Sequence, residues 1–301
     1  MPSFIKTNSA YDRIALMAQL IVCPLCQKKN FDVLFKRDKR QIVQCLNDGL
    51  VLVNPQPSLK EIASLYGPKY FKNFDPYLKN REAHLGYFRK KLKQIDKRVK
   101  SKGKLLDVGC AVGFFLQEAE KDGWSALGID VSDFALNHCR QQGLKVRKGT
   151  IESVKLPARS FDVITSLQTI EHETNPLNHL KEISRLLKPG GWVVLTTPDH
   201  NSWTRRLMGS HWFGYRHQEH LYFLTRETLR KMLKKSGFRK VEMKRDDPRI
   251  FTLGYYLTRL ADFYPNRVVK MFTGMIKRII GNFPAPALTD PWGDIIVFAK
   301  K

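Results

Sequence analysis

The stretch LLDVGCAVGFFLQEAEKDGWSALGIDVS, residues 105–132, leaves few folds open to this chain. An apolar run ends in a glycine turn, a segment with helical spacing follows, and a second apolar run ends in an acid, Asp130. That order reads as strand, turn, helix and strand. A dinucleotide-binding turn needs a third glycine, so that the helix packs closely while the pyrophosphate sits on its N-terminus. Here Gly109 and Gly113 are followed by bulky Phe114 and Phe115, and no Lys-Ser/Thr pair marks a P-loop. What remains is a tight backbone turn beside a small polar ligand without a pyrophosphate. Asp130 stands where an acid accepts hydrogen bonds from ribose hydroxyls, and Asp107 brings a second carboxylate toward a cationic or amine group. A ligand that joins a ribose to an amino-acid moiety fits this set.

The alternation continues. Strands are expected at 104–109, 125–130, 144–147, 161–167 and 191–197, and helices at 113–122, 133–142 and 176–188. Such regularity predicts a parallel sheet with helices on both faces. A loop rich in Trp, His and Arg spans 199–224. After it come a helix at 226–236 stopped by Gly237, a strand at 239–245, a helical insertion and a last strand from Asp294. The expected organisation is an N-terminal segment (1–20), a compact Cys-containing unit of short strands (21–57), a basic helical connector (58–102), a core (103–247), a helical cap insertion (248–293) and a final core strand (294–301).

Across 301 residues, 52 Lys and Arg face 28 Asp and Glu, a formal charge of +24. That balance suits nucleic acid, an anionic membrane surface or an acidic substrate; in runs such as 89–104 it also suits a merely solvated helix face. A hydrophobic fraction of 43% supports a globular core rather than disorder. The longest apolar run, 14–23, is too short to span a bilayer and lacks a small-residue cleavage site. Five cysteines, an odd count with one C-x-x-C pair, suit a reducing compartment, so a cytoplasmic location is expected.

Five stations in order resemble the class I S-adenosylmethionine-dependent methyltransferases. LLDVGCAVG (105–113) resembles the family's first motif, which cradles the methionine end of the cofactor, and GIDVS (128–132) the second, whose acid holds the ribose. GTIES (149–153) sits where the family contacts the adenine. SFDVITSLQTIEH (160–172) resembles the fourth strand and the segment after it, and LLKPGGWVVLTTP (186–198) the turn into the fifth. Two positions depart: Ala111, where a middle glycine is frequent, and Thr150, where an acid is common. The resemblance covers 103–247 and the last strand. It implies an α/β, Rossmann-like sheet of seven mostly parallel strands with helices on both faces. It also implies S-adenosyl-L-methionine held by Asp107, Gly109, Cys110, Gly113, Asp130, Val131, Thr150, Ile151, Glu152, Leu167 and Gln168. Glu171-His172 and QEHLYFLTRETL (218–229) further resemble a subgroup acting on small molecules, which includes ubiquinone-biosynthesis-type enzymes and methyltransferases of sugar and glycolipid pathways.

The Cys-containing unit, with CPLC at 23–26 and CLND at 45–48, resembles the zinc ribbon that often precedes this catalytic domain. The second knuckle would be C-x-x-C there, so Asp48 replaces the fourth thiolate. The resemblance implies structural zinc on Cys23, Cys26, Cys45 and Asp48, since zinc accepts carboxylate ligands. The alternative is a ribbon that has lost its metal and survives by packing Phe31, Leu34 and Val51.

Methyl transfer leaves the protein to align the nucleophile and remove its proton. His172 lies just beyond the fourth strand, where open α/β sheets place their ligands, and is the first candidate base, with Glu171 to orient it. Alternatively this pair only caps the next helix. His217 and His220 in the Trp-rich loop are the second candidates. That loop can act as a lid whose Arg205, Arg206 and Arg216 grip an acidic group, or can be a surface loop tucked down by Trp203 and Trp212. Gln168 stands where ubiquinone-type enzymes offer an acid to a divalent metal, so no metal is expected there. The expected acceptor is a small or lipid-linked molecule, a glycan sugar or a quinone-like lipid, methylated at oxygen. A nucleic-acid partner is not favoured: the segment after strand four is TSLQTIEH (165–172), not an Asn-Pro-Pro-Tyr-like base-methylation sequence. A cofactor-binding scaffold without catalysis is the third reading.

Residues 266–280 read as one helix with Val268, Met271, Phe272, Met275, Ile276 and Ile279 on one side and Arg267, Lys270, Lys277 and Arg278 on the other. Such a helix can lie peripherally on the anionic inner face of a membrane, or its apolar face can cover the core.

Overall fold

A computed structural model of the chain describes residues 21–58, 60–62, 78, 80–212, 214–216, 218–247, 253–254, 257, 261, 266–280, 283 and 293–301. The expected N-terminal segment and most of the expected cap insertion lie outside these residues.

Among the described residues, the first elements are three short antiparallel strands, β1 (Phe31–Arg37), β2 (Arg40–Cys45) and β3 (Val51–Asn54). Helix α1 (Arg81–Asp96) leads into the alternating core. There follow β4 (Lys104–Val108), α2 (Phe114–Lys121), β5 (Ser125–Asp130), α3 (Asp133–Gln141), β6 (Val146–Lys148) and β7 (Phe161–Leu167). Next come α4 (Pro176–Leu186), β8 (Leu187–Pro198), α5 (Trp203–Met208), β9 (Tyr222–Phe223) and α6 (Arg226–Lys235). The chain closes with β10 (Lys240–Arg245), α7 (Arg267–Ile280) and β11 (Asp294–Lys300). Seven strands form one sheet in the order β10-β11-β8-β7-β4-β5-β6. The pairs from β8 through β6 are parallel, and β11 runs antiparallel to both neighbours. This is the mostly parallel, Rossmann-like α/β fold expected from the sequence.

Strand residues alternate between two apolar layers, as the two-residue pleat requires. Leu106, Ile164, Val193 and Val297 belong to a layer shared with Leu180 and Ile183 of α4 and Leu229 and Met232 of α6. Their neighbours Leu105, Val163, Val194 and Ile296 join the opposite layer with Leu92, Phe115 and Leu136 of α1, α2 and α3. Caps fix where helices begin. Ser132 accepts from the Ala135 amide at 3.3 Å, Asn175 from Asn178 at 3.0 Å, and Thr225 from Thr228 at 3.2 Å. Each such cap is worth about 1 kcal/mol.

Two regions differ from the expectation. The segment 199–224 is not an unstructured loop: it contains α5 and ends in β9, which pairs with β3 through Val51↔Phe223 and Leu52↔Tyr222. The Cys unit therefore shares its sheet with this segment, and Cys23, Val43 and Leu52 sit in the same apolar layer as the main sheet. Nor is the basic run 89–104 wholly solvated. Lys91 is fully buried, where its ammonium pairs with Asp246 and lies 3.2 Å from Asp247, while Tyr87 donates to Asp246. The buried charge is tolerated because it is paired.

Candidate functional site

The first motif forms a turn at the C-terminal edge of the sheet, between β4 and α2. Gly109 (φ 74°) and Gly113 (φ 82°) occupy the left-handed region. A methyl group on Gly109 would come within 2.5 Å of Thr169 Oγ1, and one on Gly113 within 2.5 Å of Leu144 Cδ1, so neither backbone conformation nor space admits a side chain. Ala111, where the family prefers glycine, adopts φ 46°, a conformation that costs an L-residue about 1 kcal/mol. Asp130 at the end of β5 clamps this turn: one carboxylate oxygen accepts from the Ala111 amide and the other from the Ser132 amide, both at 2.9 Å. Burial raises the Asp130 pKa, and those amide bonds oppose the shift.

Asp107 is buried at the end of β4, with Thr165 donating to it at 2.6 Å. Burial pushes its pKa up to about 7; the Thr165 hydroxyl opposes the rise and the nearby Asp130 charge adds to it. A carboxyl poised near neutrality beside a glycine turn can accept a cationic amine.

The other expected cofactor residues divide. Val131 is 43% exposed, an apolar side chain left open beside Asp130. Thr150 and Glu152 are exposed, and Thr150 shares a local turn with Ser153. Cys110 and Ile151 are buried in the two apolar layers, so their side chains face the core and only their backbone can meet a ligand. Leu167 is half-buried. Gln168 (φ 56°) turns its amide to Asp294 of β11 at 3.0 Å.

On the acceptor side, Ile170–His172 form one 3-10 turn. Glu171 is buried, and its carboxylate lies 4.0 Å from His172 Nε2. The His172 and His220 rings stand nearly perpendicular with centroids 4.7 Å apart. Glu171, His172 and His220 bring one ligand atom each within 4.8 Å of the others. Burial lowers the His172 pKa to about 4, assisted by Arg216, and burial likewise holds the His220 pKa well below the ordinary histidine value. Both rings are therefore neutral at pH 7 and able to accept a proton. His217 lies outside the described residues. In the expected lid, Trp212 is buried and Trp203 is 56% exposed. Arg216 pairs with Glu219 at 2.6 Å, Arg205 donates to the His200 carbonyl at 2.9 Å, and Arg206 is exposed.

Sequence reasoning missed His200. It lies two residues past β8, the same kind of place that singled out His172, and its Nε2 lies 2.7 Å from the Tyr215 hydroxyl. Burial, then Arg205, lowers its pKa to about 3. His200 and Tyr215 line a cavity of about 520 Å³ with Phe35, Arg205 and Thr228, between the Cys unit and the 199–224 segment.

In the Cys unit, Cys23 donates to Asp48 at 3.1 Å, and the Cys26 and Cys45 sulfurs are 3.5 Å apart. All four expected ligand atoms lie within 4.8 Å of one another. Tetrahedral zinc with bonds near 2.3 Å needs ligand separations of about 3.8 Å, so the donor set and its spacing fit this ion. Burial, ahead of the Asp48 charge, raises the Cys23 thiol pKa. The hydrogen-bond ladder continues from here: Val53 donates to the Leu221 carbonyl at 2.9 Å, and Leu221 to the Glu171 carbonyl at 2.8 Å.

A family model described as a methyltransferase domain matches residues 77–243. A ubiquinone biosynthesis O-methyltransferase of Coxiella burnetii is 36% identical over 118 residues, 37% of this chain and 50% of that protein. One of Nitrosospira multiformis is 32% identical over 136 residues, 42% of this chain and 54% of that protein. The chain thus spans about half the length of the curated relatives it matches. Among solved structures, a Thermotoga maritima SAM-dependent methyltransferase, described as a possible histamine N-methyltransferase, aligns with TM-score 0.53 and 17% identity, over 80% of this chain and 99% of that one. Haemonchus contortus phosphoethanolamine N-methyltransferase 2, in complex with S-adenosyl-L-methionine, aligns with TM-score 0.52 and 17% identity, over 89% and 70%. At such identities the two structures share the fold.

Proposed function

This chain belongs to the methyltransferase-domain family, and on that premise we propose that it transfers the methyl group of S-adenosylmethionine to an oxygen of a small, lipid-linked acceptor. The observation that carries this reading is the clamp of Asp130 on the Gly109–Gly113 turn, with Asp107 behind it. The sulfonium of the cosubstrate supplies both the methyl group and the leaving group. Asp130 accepts from the ribose hydroxyls, Val131 shelves the adenine, and Asp107 takes the amino-acid ammonium. His172 removes the acceptor's proton as the new C–O bond forms, with His220 beside it and Glu171 below. The names of the sequence relatives favour oxygen as the nucleophile and a quinone-like lipid as acceptor; a glycolipid sugar presents the same chemistry. Labelled methyl donor incubated with cell-extract lipids, glycans and RNA tests the reading. Label in an alkali-stable lipid or glycan product is expected, and label confined to RNA contradicts it.

The Asp107 assignment predicts a pH effect. A carboxyl with a pKa near 7 in the free protein must lose its proton to pair with an ammonium. Cofactor affinity should therefore be full above pH 7 and fall as pH drops through it, being about tenfold weaker at pH 6 than at pH 8. Calorimetric titration across that range checks this; a flat profile removes Asp107 from the ammonium site.

Zinc at Cys23, Cys26, Cys45 and Asp48 would hold the two knuckles against α6, where Lys235 donates to the Leu25 carbonyl at 2.6 Å. Protein grown with added zinc is expected to carry the metal, and Cys23→Ser to lose it. Asp48→Cys should slow its removal by chelators, because thiolate is the softer ligand. Metal analysis finding none in the wild type points instead to a unit held by packing.

A further inference from the structure

Helix α7 carries two chemically separate faces. Val268, Met271, Phe272, Met275, Ile276 and Ile279 fall on one arc at about 100° per residue, and all six are between 38% and 78% exposed. Arg267, Lys270, Lys277 and Arg278 fall on the other, and the helix contains no acid. Its buried contact lies at an edge: Thr273 is 7% exposed and donates to the Val269 carbonyl at 2.7 Å. The apolar arc therefore does not cover the core. Six large apolar side chains in one exposed row form a patch of the kind that marks an interaction surface.

We propose that α7 docks the enzyme on an anionic lipid bilayer, with its apolar arc at the acyl boundary and its four cations among the headgroup phosphates. Charge complementarity selects this occupant. Nucleic acid would engage the cations and leave the apolar arc in water. A second copy would bring like-charged helices together with no acid on either to offset the repulsion. An amphipathic helix with Lys and Arg on its polar face and bulky apolar residues opposite has the composition of an interfacial helix. It sits on the chain between β10 and β11, outside the strands that carry the glycine turn and the histidines. The docking would bring the site to a lipid-linked acceptor, and in that role it rests on the methyltransferase reading.

Flotation of the full chain with two vesicle types tests the docking: phosphatidylcholine alone, and phosphatidylcholine mixed with phosphatidylglycerol. Binding to the mixed vesicles is expected to exceed that to the neutral ones at least about tenfold, and to weaken with salt. Lys270→Gln with Arg278→Gln should reduce it by about 25-fold, each cation near the surface being worth about fivefold. Met275→Asp should abolish binding to both types. These side chains are exposed, so thermal midpoint and S-adenosylmethionine affinity should stay at wild-type values in every variant. Equal binding to both vesicle types overturns the proposal, as does self-association that Met275→Asp disperses. Absent vesicle binding with normal cofactor affinity removes the docking alone, whereas absent cofactor affinity removes the methyltransferase reading.

Discussion

Asp130→Ala is expected to weaken S-adenosylmethionine binding by about 2–4 kcal/mol, or roughly 30- to 1,000-fold. Two losses combine. The substitution removes a charged acceptor from the ribose hydroxyls, and hydrogen bonds to charged groups contribute more than neutral ones. It also frees the Ala111 and Ser132 amides that the carboxylate now holds at 2.9 Å. Without that clamp, Ala111 has less reason to keep φ 46°, and the Gly109–Gly113 turn relaxes. Asp130→Asn keeps the shape and one acceptor oxygen, so it should fall between mutant and wild type. Calorimetry on protein with an unchanged thermal midpoint reads the effect. An alanine variant that binds as tightly as wild type would show that the ribose lies elsewhere.

His172→Ala should lower turnover by about 10²–10⁴-fold, the usual contribution of a general base, while cofactor affinity stays near wild type. The physical basis is the neutral ring. Burial and Arg216 hold its pKa near 4, so the lone pair is available throughout the physiological range. A base with a lowered pKa stays active above it and fails as pH falls through it. At saturating cofactor, the acid limb of the rate profile should thus lie well below the ordinary histidine value of about 6.5. An acid limb near 6.5, or an active His172→Ala beside an inactive His220→Ala, moves the proton transfer to another group.

The parallel core was legible because burial on both faces leaves its mark in the sequence. The strands at 104–108, 125–130 and 161–167 and the latter part of the one at 187–198 are short apolar-rich segments, and α3 and α4 carry caps three residues ahead of their partners. The Gly109–Gly113 turn and the acid at the end of β5 that contacts it were legible for the same reason, since turn chemistry is local. Helix α7 was legible from its spacing, but which way its apolar arc faces was not, because that depends on what the rest of the fold leaves uncovered. The pairing of β3 with β9 joins Leu52 to Tyr222 across the length of the core, and two residues of strand give no periodic signal. Lys91 is hidden for a similar reason: a lysine in a basic run reads as solvated until Asp246, far along the chain, is brought beside it. His200 had a positional signal, but its tyrosine partner is supplied by the folding back of the 199–224 segment.

The most direct measurement is the titration of the purified, folded wild-type chain with S-adenosylmethionine at a pH above 7. One molecule bound per chain, displaced by S-adenosylhomocysteine, is the predicted result. A folded protein that binds neither compound would mean that the Gly109–Gly113 turn and Asp130 hold no S-adenosylmethionine.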